Sequence, residues 1–391
     1  MAQNPVVILA ARRTPIGSML GTFATVAAPA LGATALKAAL ASAGADPAKV
    51  DEVVMGCVLP AGQGQAPARQ AAIAAGVPIS VPATTVNKMC GSGMKAVMLA
   101  ADQIAAGGAQ LILAGGMESM TGAPYLLPKA RAGYRMGHGE ILDHMFYDGL
   151  QSPWDGKLMG CFADATAAKY GFSRTDQDAF AAESVRRALA AVESRAFEAE
   201  IAPVTVADRK GERTVAQDET PFSVSIDKIP SLKPAFAKDG TVTAASSSSI
   251  ADGAAALLLA SPQAAQGFKP IARIVAHASF AQAPEWFTTA PAGAIAKVLK
   301  QAGWKASEVD LFEVNEAFAV VTMAAMKDIG IPHDRVNVNG GACALGHPIG
   351  ATGARILTTL LHALIKRGKK RGVAALCIGG GEATAIAVEI A

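Results

Sequence analysis

Two cysteines, one histidine and one asparagine occupy settings that suggest chemistry. Cys90 lies in Asn87-Lys88-Met89-Cys90-Gly91-Ser92-Gly93, between a short strand-like run and the start of a helix. Unpaired N–H groups and the dipole at a helix start favour an anion, which predicts a depressed thiol pKa and a nucleophilic sulfur. Small flanking residues let a carbonyl approach the backbone, whose N–H groups could hold a developing oxyanion. The strand–turn–nucleophile–helix order is analogous to the serine elbow of hydrolases. By itself, a free cysteine in a crowded turn is more readily a small core residue.

His347 lies in the glycine-rich stretch Asn339-Gly340-Gly341-Ala342 through Gly346-His347-Pro348-Ile349-Gly350, just before a second helix start. It could take the proton from a thiol; a structural histidine bonded to nearby backbone fits equally well. Cys377 ends a buried strand and precedes Gly379-Gly380-Gly381. The carboxyl end of a strand is a usual place for catalytic groups, and the glycines offer unobstructed N–H groups. Asn315 and Glu316 follow the strand-like run 309–314, where they either cap a helix or fix a water or carbonyl. A hydrolase needs one nucleophile and one base. A second thiol becomes useful when a carbon-bound proton must also move, so the set implies acyl transfer coupled to carbon–carbon bond chemistry.

The chain that positions these groups has 391 residues, 51% hydrophobic and 17% charged, a composition that excludes wholesale disorder. Length predicts two to three domains. A net charge of +3 and 5% aromatics give no nucleic-acid footprint. No apolar run approaches a membrane span, and Arg12-Arg13 follow rather than precede the first apolar stretch, the wrong order for a secretory signal. Five dispersed cysteines suit a reducing, cytoplasmic setting, and the six histidines form no cluster suited to a metal.

Strand-like runs at 5–11, 50–59, 84–87 and 111–114 alternate with helical segments at 31–44 and 94–106, predicting an α/β protein with a parallel sheet covered by helices. After Met120 the alternation fades, apart from a helix from Asp176 to about Phe197 capped by Ser173 or Thr175. From about residue 270 a second unit echoes the first. In each, a glycine-opened helix leads to a buried strand and a glycine cluster followed by Glu: Gly115-Gly116-Met117-Glu118, then Gly379-Gly380-Gly381-Glu382. Duplication is the expected reading. The division is 1–119 plus 244–268 as a first core domain, 120–243 as an inserted loop domain, and 269–391 as a second core domain.

On the three motifs around Cys90, His347 and Cys377, the sequence resembles the thiolase family, over essentially the whole chain. The resemblance implies a five-layered αβαβα fold of two similar core domains with an inserted loop domain, assembled as a homodimer or homotetramer. It implies Cys90 as acyl-carrying nucleophile, His347 as its base and Cys377 as the group that moves the α-carbon proton. Asn315 would hold a water in one oxyanion hole, and the N–H groups of Cys90 and Gly379 would form another. Leu150, Met159, Ala244, Ser248, Ala317 and Phe318 would line the path of coenzyme A, a co-substrate rather than a tightly bound cofactor. No nucleic-acid or membrane partner is expected.

The chain departs from the family pattern at Lys157-Leu158-Met159-Gly160, where Leu158 stands in place of a polar histidine near the thioester. It departs again at Ala245-Ser246-Ser247-Ser248, while Trp286 and Phe287 add bulk in the acyl region. Chain-length preference is therefore open. Two other readings remain: a decarboxylating ketoacyl synthase, against which Cys377 argues, and an acyl-CoA-binding protein without catalysis.

Overall fold

The computed structural model describes residues 5–208 and 211–391. Its main strands are β1 (Val6–Arg13), β2 (Glu52–Gly56), β3 (Ala83–Val86), β4 (Leu111–Ser119), β5 (Ala251–Ala260), β6 (Ala272–Ala281), β7 (Leu311–Val314), β8 (Arg371–Ile378) and β9 (Glu382–Ile390). They lie side by side in the order β7-β8-β9-β6-β1-β5-β4-β2-β3, with the short strand Gly17–Ser18 added beside the start of β5. In the first half, the chain-order strands one to five take the spatial order 3-2-4-5-1. The second half repeats it, with a parallel bridge from Phe312 to Val336 standing for its third strand. The duplication is thus real in topology, and the halves meet where β1 pairs antiparallel with β6.

The sheet is mixed rather than parallel. Among the nine described main strands, only the pairs β2–β3, β2–β4 and β7–β8 run parallel. Short connections such as the glycine turn after β8 can join only antiparallel neighbours, because a parallel return needs a crossover. The Gly-Gly-x-Glu echo also differs in structure. β4 runs straight through Gly115 and Gly116, where a Cβ would strike the carbonyls of Ala255 and Gly350. In the second half the glycines form the turn between β8 and β9, with Gly380 and Gly381 at φ 98° and 87°. One pair permits close approach; the other permits a reversal.

The layers follow from two-residue alternation along the strands. Leu111 and Leu113 of β4 face one core, while Ile112 and Ala114 face another. On β8, Ala374 and Leu376 join that second core, and Val373 and Ala375 face a third. Helices α1 (Ala28–Ala43) and α2 (Pro67–Ala74) cover the first half's outer face, with Leu31, Leu36 and Ala71 buried there. Between the halves lie α3 (Ser92–Ala105) and, just before β8, the helix Ile349–Lys366. Outside the second half lies Ala290–Ala302, whose Ile295 and Val298 enter the third core. The result is the five-layered αβαβα arrangement.

The inserted segment leaves after β4 and returns at β5. It holds α4 (Met159–Tyr170) and α5 (Arg174–Glu193), the latter started by Ser173, whose hydroxyl and Asp176 form a reciprocal cap. α5 ends four residues before the expected Phe197. The next helices are α6 (Ala290–Ala302), α7 (Ala319–Ile329), the short α8 (Ala342–Leu345) and α9 (Ile349–Lys366). Arg13 of β1 ties the inserted segment down, with Glu200 at 2.5 Å and Asp218 at 2.7 Å and all three side chains fully buried. Removing one partner would strand an unpaired charge.

α3 and α9 cross at Gly93 and Gly353. A Cβ on Gly353 would strike the Met94 backbone, and one on Gly93 would press on Ala354 and Gly350. In an open helix Gly→Ala gains up to about 1 kcal/mol. Here Gly353→Ala is expected to destabilise by about 1–3 kcal/mol, read as a lower denaturant midpoint; a rise would refute the close crossing.

Candidate active site

Cys90 sits in the turn between β3 and α3. Asn87 Oδ1 accepts from Met89 N at 2.9 Å; Ser92 Oγ accepts from Lys88 N at 2.8 Å and donates to Met89 O at 2.6 Å. These bonds hold Met89 at φ 48°, a left-handed conformation that a side chain adopts only when its surroundings impose it. The backbone N–H groups of Gly379 and of Cys90 itself lie near enough to the Cys90 sulfur to favour its thiolate, and Gly379 shares a cavity with Cys90. A Cβ on Gly91 would strike Ile378, so the two halves touch directly beside the thiol.

The thiol pKa differs from the sequence expectation. Burial pushes Cys90 up to about 11, and the Glu118 carboxylate adds to the rise, while the two N–H groups oppose it. Desolvation of the thiolate outweighs the helix end. Cys377 closes β8, is fully buried, and is held well above the usual thiol range by burial and by the charge of Cys90.

His347 precedes α9 and is buried. Its Nδ1 lies 2.6 Å from Thr352 Oγ1, and that hydroxyl donates to Pro348 O at 2.9 Å. With the hydroxyl proton so engaged, Nδ1 is the N–H and donates to Thr352. Nε2 is then a bare lone pair, buried and without a protein partner. Burial, aided by the Arg355 cation, pushes the imidazole down to about 3, so it is neutral.

Asn315 follows β7, its N–H bonded to Ala375 O at 3.0 Å, yet neither side-chain atom has a protein partner although the residue is buried. A buried amide left this way is poised for a water or ligand oxygen. Glu316 is not a helix cap. It accepts from Ser184 Oγ (2.7 Å), Asn337 Nδ2 (2.8 Å) and Cys343 N (3.1 Å), fastening the glycine loop ahead of His347.

Cys90, His347 and Gly379 line one cavity of about 200 Å³. Leu150, Met159, Ser248, Ala317 and Phe318 form part of its wall, with Leu158 and Phe287 beside them. Ala244 is exposed and lies outside the lining; Cys377 and Asn315 are buried and are not part of the lining either. Trp286 also stands apart, with the Lys169 ammonium 3.8 Å from its ring centroid. The serines of this stretch are tied into the fold: Ser246 and Ser247 are buried, Ser247 Oγ donates to Thr243 O at 2.8 Å, and Ser248 N donates to Ala317 O at 3.0 Å.

Sequence reasoning passed over three positions. Glu118 emerged only as a motif ending, but its buried carboxylate accepts from Val58 N (2.9 Å), Leu59 N (3.1 Å) and Gly350 N (2.8 Å). It thereby joins the segment after β2 to the start of α9. Burial pushes this carboxyl up to about 7. Thr352, in a generic Gly-Ala-Thr-Gly, sets the histidine tautomer; its spacing five residues after His347 is the usable signal. Arg355, one turn further along α9, is buried against Glu313 at 3.2 Å.

Residues 6–263 match the family model described as thiolase, N-terminal domain, and residues 268–390 match thiolase, C-terminal domain. The chain is 51% identical to an Escherichia coli acetyl-CoA acetyltransferase, covering 98% of each. It is 50% identical to one from Chromobacterium violaceum, covering 98% of this chain and 99% of the relative. A crystal structure of the Bacillus anthracis acetyl-CoA acetyltransferase superposes with a TM-score of 0.97 at 40% identity over the whole of both chains.

A thiol whose pKa is raised stays protonated at neutral pH and reacts only as pH climbs. Alkylation of Cys90 by iodoacetamide in the free protein should accelerate with pH towards a midpoint near about 11. A plateau reached at neutral pH would contradict the burial argument.

Proposed function

The chain belongs to the thiolase family, and from that premise we propose how its residues carry out the reaction. It is an acyltransferase that cleaves 3-ketoacyl-CoA with coenzyme A, or runs the reverse Claisen condensation, by a ping-pong path through an acyl-cysteine. In cleavage, Cys90 Sγ attacks the 3-keto carbon while its proton passes to His347 Nε2. The carbon–carbon bond breaks, and the departing acetyl-CoA enolate takes a proton from Cys377. The shortened acyl group stays on Cys90 until the sulfur of a fresh coenzyme A displaces it. Condensation reverses these steps, with Cys377 removing the α-proton of acetyl-CoA.

The single observation that carries this reading is the bare, buried Nε2 of a neutral His347 in the same cavity as the Cys90 thiol and Gly379. A thiol near 11 facing an imidazole near 3 disfavours a resting ion pair. Proton transfer must then accompany attack, and the oxyanion donors must absorb the charge as it forms. Donors aimed at developing charge in a dry site supply large rate effects. The N–H groups of Cys90 and Gly379 suit one such site, and the partnerless amide of Asn315, holding a water beside His347, suits the other.

Both bacterial relatives above bear the name acetyl-CoA acetyltransferase. That name and the small apolar cavity support an acetyl group as the one transferred, with Leu158 giving the thioester an apolar wall in place of a polar one. Coenzyme A is a substrate, held through the wall that includes Met159, Ser248 and Phe318. The exposed apolar side chains of the inserted segment, among them Tyr125, Met136, Tyr147 and Trp154, support assembly into a homodimer or homotetramer. The five free thiols suit a reducing cytoplasm.

The decisive measurement is thiolytic cleavage of acetoacetyl-CoA, followed by loss of the 3-ketoacyl-CoA absorbance; binding without turnover would overturn the reading. Cys90→Ala should form no acyl-enzyme by mass spectrometry. Cys377→Ala should still acylate Cys90 yet lose exchange of the acetyl-CoA α-hydrogens with deuterated water, and normal exchange would remove Cys377 from its role. Asn315→Ala should lower kcat by about 100-fold or more, the scale of one lost oxyanion donor.

A further inference from the structure

Gly379 lines the same cavity as Cys90 from the other half of the molecule, beside the contact between Gly91 and Ile378, and its N–H favours the Cys90 thiolate. Gly379, Gly380 and Gly381 are consecutive, and two of them have positive φ, so the backbone has more freedom here than any other tripeptide would allow. The β8–β9 ladder closes the two ends of the turn, and contacts from outside it bear on the glycines between. On one side Gln282 N donates to Gly381 O at 2.8 Å, and a Cβ on Gly381 would press on Gln282 O. On the other side Glu382, the first residue after the glycines, pairs with Lys88, two residues before Cys90. That contact spans 294 positions of sequence.

We propose that the Lys88–Glu382 ion pair is a strap that holds the Gly379 N–H on the Cys90 sulfur, making both side chains positioning residues for acyl transfer. Both are partly exposed, at 24% and 37%. A pair so placed adds little to global stability. Its effect lies in where it joins the chain. Lys88 is anchored by the Ser92 hydroxyl at its own N–H, so its backbone moves with the nucleophile turn. Glu382 begins β9, whose pairing with β6 and β8 fixes the far end of the glycine turn. The ammonium–carboxylate contact thus closes a short loop of structure running from Cys90 through Lys88 and Glu382 back to Gly379. Without it, the Gly91–Ile378 contact remains but does not orient the Gly379 amide.

This assignment rests on the acyl-cysteine reading, so its test includes a measurement that needs no substrate. Lys88→Gln and Glu382→Gln should each slow alkylation of Cys90 at a fixed, mildly alkaline pH by about 3-fold, because losing the Gly379 N–H raises the thiol pKa further. Each should also slow the burst of acetylation from acetyl-CoA by a similar factor, with KM for coenzyme A little changed. The exchanged pair Lys88→Glu with Glu382→Lys should recover most of both rates; should it fail to fold, Lys88→Arg supplies the same check. Added salt should slow the parent protein towards the Gln variants and leave those variants nearly unaffected. Single variants with parental alkylation, or an exchanged pair or Arg variant no better than the Gln variants, would overturn the strap. Altered alkylation in a protein that shows no turnover on acetoacetyl-CoA would uphold the strap while refuting the proposed function.

Discussion

Everything at the site depends on how closely α3 and α9 approach. Both central helices begin beside groups of that site, Cys90 two residues before α3 and His347 two residues before α9. The glycines at the crossing, Gly93 and Gly353, leave backbone facing backbone where any side chain would hold the helices apart. Gly116 and Gly350 repeat the arrangement between β4 and the start of α9. A helix pair packed through larger side chains would separate by several ångströms, and the imidazole would no longer share a cavity with the thiol. Proximity is thus set by missing side chains rather than by attractive contacts.

Close packing also excludes water, and that decides the charge states. The same desolvation raises the thiols, lowers the imidazole and lifts the Glu118 carboxyl. A site of neutral groups costs little to bury, and its dipoles are worth more when charge appears during reaction. The two loops that flank the site are pinned by buried carboxylates, Glu118 taking three N–H donors on one side and Glu316 taking two N–H donors and the Ser184 hydroxyl on the other. Such carboxylates are tolerable in the interior because their acceptor sites are used.

Duplication supplies the frame, and asymmetry supplies the chemistry. Both halves share one strand order and place a helix in the middle layer. Yet the glycines that follow similar strands serve opposite ends: Gly115 and Gly116 keep β4 extended beneath α9, whereas Gly379 to Gly381 reverse the chain and bring an N–H to Cys90. One half carries Cys90; the other carries His347, Cys377 and the Gly379 N–H.

Local pattern was enough to mark the glycine-flanked Cys90, His347 and Cys377, the strands around them and the doubled architecture, because apolar alternation and helix-stopping glycines are properties of short segments. Ser173 as the cap of α5 was legible for the same reason. Sheet direction, the thiol's raised pKa, the histidine's tautomer and the tie of Glu118 to Gly350 were not, since each depends on residues distant in the chain. Burial is a sum over neighbours that only folding brings together, and it reversed the pKa shift that the helix start alone predicts. The chain therefore determined which groups are present and in what local geometry; the packing of two halves decided their charge, their partners and their separation, because those quantities have no value until water has been excluded.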